Sequence, residues 1–220
     1  MAITSNVLLL SQSAVYTVTA TVSLCVWIPM SLHVYNFCGH CSLFTDGQFI
    51  EEDGRFEANW ASTAYCGFTL AVGLIAFMMA FFQMIRKFMK LYKGVDSTFL
   101  SAFVETISAL TMTVIVLADA VIVTKGFSVW CQSLIQRFDS CETASGVMVI
   151  GKDTGIEPKG FFVQLGSVQF GIWTLLVCWV LAVVLATRKV MIYHEKENMI
   201  VSMTRERQRH IGSDYMPVRS

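Results

Sequence analysis

Two carboxylates, Glu105 and Asp119, stand inside an otherwise apolar stretch of about 99–124. A charge in hydrocarbon is costly, and such acids commonly serve ion or proton pathways. Depth decides what they can do. With the stretch centred near Ala109–Met112, Glu105 lies one to two helical turns from one end. Asp119 lies about 12 Å from the centre toward the other, at 1.5 Å per residue. Both positions are near the boundaries, where local water or snorkelling solvates a carboxylate. The expected role is interfacial anchoring, and an ion or proton relay is the alternative. Lys125, Gln164 and Gln169 are the candidate partners of Asp119.

Thiols and imidazoles form the next candidate group: His33, Cys38, His40 and Cys41. Zinc sites usually pair C-x2-C with a second ligand pair at suitable spacing, and that pattern is missing, so no metal site is expected. There is likewise no GxSxG, Walker loop, HExxH or GxGxxG. No catalytic residue, no cofactor-binding residue and no cofactor is assigned.

The elements that hold these residues are four apolar stretches, about 7–31, 62–85, 99–124 and 162–187. Each is long enough to cross a ~30 Å hydrocarbon core as a helix. Of the 220 residues, 55% are hydrophobic and 15% charged, against roughly 25% charged in soluble domains. Zero formal net charge argues against a nucleic-acid partner, since phosphate binding needs a basic field.

The neutral total hides an asymmetry. The first loop, about 32–61, sets Asp46, Glu51, Glu52, Asp53 and Glu57 against Arg55. The second, about 86–98, sets Arg86, Lys87, Lys90 and Lys93 against Asp96. The third loop, about 125–161, is balanced, and the tail from Arg188 is rich in Arg and Lys. The positive-inside rule makes the second loop and tail cytoplasmic, and the first and third loops outside or lumenal. Both termini are then cytoplasmic. The first stretch lacks a basic n-region and a small-residue cleavage site, so it is expected to be a retained signal-anchor.

Cysteines agree with this orientation. Cys38, Cys41, Cys66, Cys131 and Cys141 lie in or beside the outer loops, where disulfides persist, and Cys25 and Cys178 lie within spans. Cys131 and Cys141 close a short loop, and a bridge there stabilises by roughly 2–3 kcal/mol in the chain-entropy model. Either Cys38 or Cys41 is placed to reach Cys66 at the mouth of the second span. No N-x-S/T glycosylation sequon is present.

Packing signals follow. Gly67, Ala71, Gly73, Ala76 and Ala80 in the second span, and Ala182 and Ala186 in the fourth, allow close helix approach. The first span carries Ser11, Gln12, Ser13, Thr17, Thr19, Thr21 and Ser23. Their polar groups can bond within their own helix or to a neighbour, or line a path. Trp27, Tyr35, Trp60, Tyr65, Trp130 and Phe161–Phe162 on one side, with Phe81–Phe82, Phe88 and Tyr92 on the other, are expected as aromatic belts. Pro29 should kink or end the first helix. Residues 1–195 are expected to form the membrane domain, and 196–220 a partly disordered cytoplasmic tail. Helical continuation through Tyr193–Arg209 is compatible with the tail sequence. Tyr215 and Val218 fit a Y-x-x-Φ sorting motif.

The segment Gly39-His40-Cys41-Ser42-Leu43-Phe44-Thr45-Asp46-Gly47 resembles the first outer loop of the transmembrane protein 179 family. So do Ser101-Ala102-Phe103, Gly126-Phe127-Ser128-Val129-Trp130-Cys131 and Gln169-Phe170-Gly171-Ile172-Trp173, in this order over about residues 7–195. The resemblance implies an all-α integral membrane protein, a claudin-like four-transmembrane-helix bundle without established enzymatic activity. It also implies two disulfide-bearing outer loops, with a little β structure in the first. It makes Cys41, Cys66, Cys131 and Cys141 the family cysteines, pairs Cys41 with Cys66, and leaves Cys38 as the odd cysteine. The claudin W-GLW-C-C run is absent from the first loop, so only the architecture carries over. The expected partners are the lipid bilayer, other membrane proteins and a second copy of the chain as a homo-oligomer. The expected function is a non-catalytic accessory, scaffold or adhesion-type tetraspan. The alternative is a small transport or channel component using Glu105 and Asp119, for which replacing either acid by Leu should abolish transport but spare surface expression.

Overall fold

The computed structural model describes residues 2–50, 55–93, 99–147, 150, 156 and 158–214. In chain order these form α1 (Ala2–Asn36), β1 (Cys41–Phe49), β2 (Phe56–Ala61), α2 (Ala64–Lys93), α3 (Phe99–Leu134), α4 (Cys141–Val147) and α5 (Phe161–Asp214). The four long helices α1, α2, α3 and α5 are each long and apolar enough to cross a membrane. The chain is a multi-pass membrane protein with a helical bundle and a small two-stranded sheet.

In lipid both faces of a helix are apolar, so the buried face is marked by something other than hydrophobicity. Along α3 the inner seam runs through Ala102, Glu105, Ala109, Met112, Val116, Asp119, Val123, Gly126 and Trp130, at alternating steps of three and four, with Ala120, Ser133 and Leu134 buried beside it. Cys66, Thr69, Gly73, Ala76, Ala80, Gln83 and Lys87 do the same in α2. The inner faces of α1 (Gln12, Tyr16, Thr19, Ser23, Val26, Met30, His33) and α5 (Leu165 through Lys189) repeat it. A sustained 3.5-residue period is the seam of left-handed helix packing. α1 packs along both α2 and α5, α3 packs along α5, and α2 and α3 touch over a shorter length.

Small residues on these seams permit close approach. A Cβ on Gly73 would meet the Trp27 backbone of α1 at 3.3 Å. Pro29 stands inside α1 without ending it. It removes the amide that would bond the Cys25 carbonyl, and the α5 backbone at Gly171 passes close to that carbonyl. α1 ends instead in a Schellman motif: Gly39 N–H donates to Val34 O at 2.9 Å and Cys38 N–H to Tyr35 O at 3.1 Å. Cys38 takes the left-handed position, with φ of 51°.

β1 and β2 pair antiparallel, with Gly47 opposite Ala58 and Phe49 opposite Phe56, after an irregularity between Cys41 and Asp46. Thr45 stitches that irregularity, donating to Cys41 O at 2.7 Å and accepting from Ala61 N–H at 3.1 Å. One face of the hairpin presents Asp46, Gln48, Glu57 and Asn59 to solvent. The other lies on Trp130, whose ring meets Phe37, Phe56, Trp60 and Phe161. Trp130 and Phe161 are fully buried. They are therefore the core beneath the hairpin and not members of an interfacial belt. Trp27, Tyr35 and Tyr65 keep exposed positions at that end, and Phe81, Phe82, Phe88 and Tyr92 at the other.

One further expectation changes. Lys87, assigned to a loop, lies within α2 and is 2% exposed, because the helix and its seam continue past residue 85 to Lys93. In the tail, α5 continues as helix through Tyr193–Arg209, the stretch whose sequence is compatible with helix, and on to Asp214. No Pro or Gly falls between Arg188 and Ile211 to interrupt it.

Candidate functional site

Polar groups gather on the seams at both ends of the bundle. At the end carrying the second loop, Lys87 of α2 pairs with Glu105 of α3 at 2.5 Å and donates to Gln12 Oε1 of α1 at 2.7 Å. Tyr16 of α1 donates its hydroxyl to the second Glu105 oxygen at 3.1 Å. Its ring stands edge-on to Trp179 of α5, at a centroid distance of 6.3 Å. Lys189 of α5 lies beside Lys87 and Glu105 and is itself buried. All four long helices thus contribute a side chain to one buried cluster.

Glu105 is 4% exposed and Asp119 is fully buried, so neither is the water-solvated or snorkelling acid expected. Both fall on the inner seam of α3, fourteen residues or two seven-residue repeats apart, which turns them into the protein. Asp119 accepts from the Thr69 hydroxyl of α2 at 2.7 Å, and its other oxygen has no hydrogen-bond partner among the described residues. Its candidate partners lie elsewhere. Lys125 is on an exposed face of α3, and Gln164 comes within reach of the His33 ring.

At the hairpin end, buried His33 of α1 and Ser42 of β1 share a 2.8 Å hydrogen bond. The Cys41–Cys66 disulfide joins β1 to the first turn of α2, with Cα atoms 5.8 Å apart. Cys131–Cys141 joins α3 to α4 at 5.3 Å. Ser140 caps α4 by accepting the Thr143 N–H at 3.1 Å. The hairpin also rests on Gly126 of α3, where a Cβ would strike Leu43 at 2.9 Å. It is therefore tied to three helices at once.

The hydroxyls of the first span turn inward on their own helix. Thr17, Thr19, Thr21 and Ser23 each donate to the carbonyl four residues back, at 2.7–3.0 Å. Ser11 does the same with Val7 O at 2.9 Å. Cys41 is consumed by its disulfide and His33 by Ser42, so His33, Cys38, His40 and Cys41 do not converge as a ligand set. No group of three or more metal-ligating side chains occurs among the described residues. Cys38 is exposed and outside both disulfides. The sorting motif at Tyr215 and Val218 lies outside the described residues.

Sequence reasoning named Glu105 but not its partners Lys87 and Tyr16, nor Gln12 as the acceptor for Lys87. A signal was present: Lys87 is seven residues beyond Ala80 and fourteen beyond Gly73, on the small-residue seam of α2.

Four membrane-capable helices, a disulfide-anchored hairpin between the first two, and a second disulfide after the third define a claudin-like four-span membrane protein. The family model for the transmembrane protein 179/179B claudin domain matches residues 8–211. The chain belongs to that family. No solved structure matches it.

Proposed function

We propose that this protein is a non-catalytic membrane organiser, an accessory or adhesion-type tetraspan acting through protein partners, with the hairpin outside and both termini cytoplasmic. The observation that supports it most is the direction of the polar groups. The buried Lys87 and Glu105 are paired with each other across helices, with Gln12 and Tyr16 bonded to them, and the polar face of the hairpin is turned outward. The pair Lys87–Glu105 ties helices together, while Asp46, Gln48, Glu57 and Asn59 are the groups offered to a partner.

Proximity labelling in native membranes tests this reading. A defined set of membrane-protein neighbours should be labelled by the native chain and lost when Asp46, Gln48, Glu57 and Asn59 are all replaced by Ala, at unchanged surface level. An identical set from both proteins would refute it.

One observation favours the transport alternative: the second Asp119 oxygen is buried without a partner among the described residues. Replacing Glu105 by Leu does not test transport cleanly, because it strands the buried Lys87 ammonium. Asp119→Asn is the cleaner variant. Ion flux in proteoliposomes that is lost in Asp119→Asn would support the alternative, and absence of flux from the native chain would exclude it.

A further inference from the structure

His33 stands at the joint between the bundle and the hairpin. Its imidazole is fully buried near the end of α1, and Nε2 shares the 2.8 Å hydrogen bond with Ser42 Oγ of β1. The Phe37 ring lies against it, with centroids 4.3 Å apart. From the first turn of α5, Gln164 comes within reach of the same ring. His33 Nδ1 and Gln164 Oε1 are both buried, and neither has a hydrogen-bond partner among the described residues. Three elements distant in the chain thus meet on one titratable side chain. With the ring proton on Nδ1, Nε2 accepts from the Ser42 hydroxyl, so a neutral imidazole suits this place.

We propose that His33, Ser42 and Gln164 form a proton-sensitive latch, which holds the hairpin on α1 and α5 while the ring is neutral and loosens it when the ring is protonated. A second ring proton puts a full charge in the core, and no carboxylate among the described residues acts on it there. Asp46 of β1 and Glu57 of β2 are exposed on the solvent face of the hairpin. Cys41 of β1 and Cys66 of α2 are joined in their disulfide. On α3, Lys125 is exposed and Asp119 is bonded to Thr69. Tyr35 of α1 is exposed, and α5 carries no charge before Arg188. The Phe37 ring face offsets only a fraction of the cost of burying a cation. An imidazole released to water takes up its proton below about pH 6.5. The loosened state therefore gains as pH falls, and docking weakens below that value. Because the hairpin carries the polar face offered to partners, an acidic compartment would unfix that face. This last consequence alone rests on the function proposed above.

Hydrogen exchange of the purified full-length protein in detergent tests the latch without any partner. It is read as protection factors, so that the intrinsic pH dependence of exchange cancels. Protection in β1 and β2 should fall about tenfold between pH 7.5 and pH 5.5 while the centres of α2 and α3 keep theirs. His33→Gln keeps a polar group toward Ser42 but cannot titrate, so the response should vanish. His40, half-exposed and stacked on Trp60 at 4.7 Å, is the other imidazole at this end. His40→Gln should leave the response intact. Gln164→Glu offers the protonated ring a carboxylate and should cut the response, and it decides the matter where His33→Gln does not fold. Equal protection at both pH values in the native chain would overturn the proposal. So would a loss that persists in His33→Gln, one unchanged in Gln164→Glu, or one spread equally over the centres of α2 and α3. A pH response together with failed partner labelling supports the latch and refutes only the function proposed above.

Discussion

Lys87 and Glu105 lie on different helices, 18 residues apart in sequence, and meet where water does not reach. Breaking a buried pair by removing one partner leaves an uncompensated charge, at a cost of about 3–5 kcal/mol, whereas replacing both by apolar residues is often neutral. Glu105→Leu should therefore destabilise the bundle by about that amount, and Lys87→Met combined with Glu105→Leu should recover most of the loss. Reversible unfolding in mixed micelles measures both, and additive effects would show that the pair does not act as a unit. A second residue-scale effect is local. Cys38 holds a left-handed conformation that costs a non-glycine residue about 1 kcal/mol. Cys38→Gly should return a gain of that order in the same unfolding measurement. At this scale the sequence showed which acids were unusual. It did not show their partners, because Lys87 sits past the end of the apolar run and so resembles a loop cation.

At the scale of elements, the four long helices were legible from apolar length alone, but their ends were not. α3 continues ten residues past the expected end at 124, to Leu134, and that extension carries Trp130 and Cys131 beneath the hairpin. Its continuation depends on contacts with β1 that no local pattern announces. The hairpin register is equally hidden, because it depends on Thr45 bonding across an irregular stretch. The orientation of each helix was recoverable in principle from the seven-residue spacing of small and polar residues. Trp130 is the element-scale keystone. Trp130→Ala should cost about 3–5 kcal/mol of stability and free the hairpin from the helices. Hydrogen exchange should then accelerate in 41–61 while the centres of α2 and α3 stay protected. Gly126→Leu should loosen the same junction by overpacking, since even a Cβ there strikes Leu43. Unchanged exchange in 41–61 in both variants would place the anchorage of the hairpin elsewhere.

At the scale of the whole molecule, α1, α2, α3 and α5 form a bundle whose interior charges bind helix to helix and whose hairpin is held by α1, α2 and α3. Loop charge and cysteine placement both predict the hairpin on the oxidising side, and the recognition of outside partners proposed above depends on that orientation. Thiol labelling with a membrane-impermeant maleimide in intact cells tests it most directly. Cys131 and Cys141 should label only after reduction and without permeabilisation, and a cysteine introduced at Lys93 only once the membrane is opened. Labelling of the Lys93 position in intact cells, with Cys131 and Cys141 reached only after permeabilisation, would contradict it.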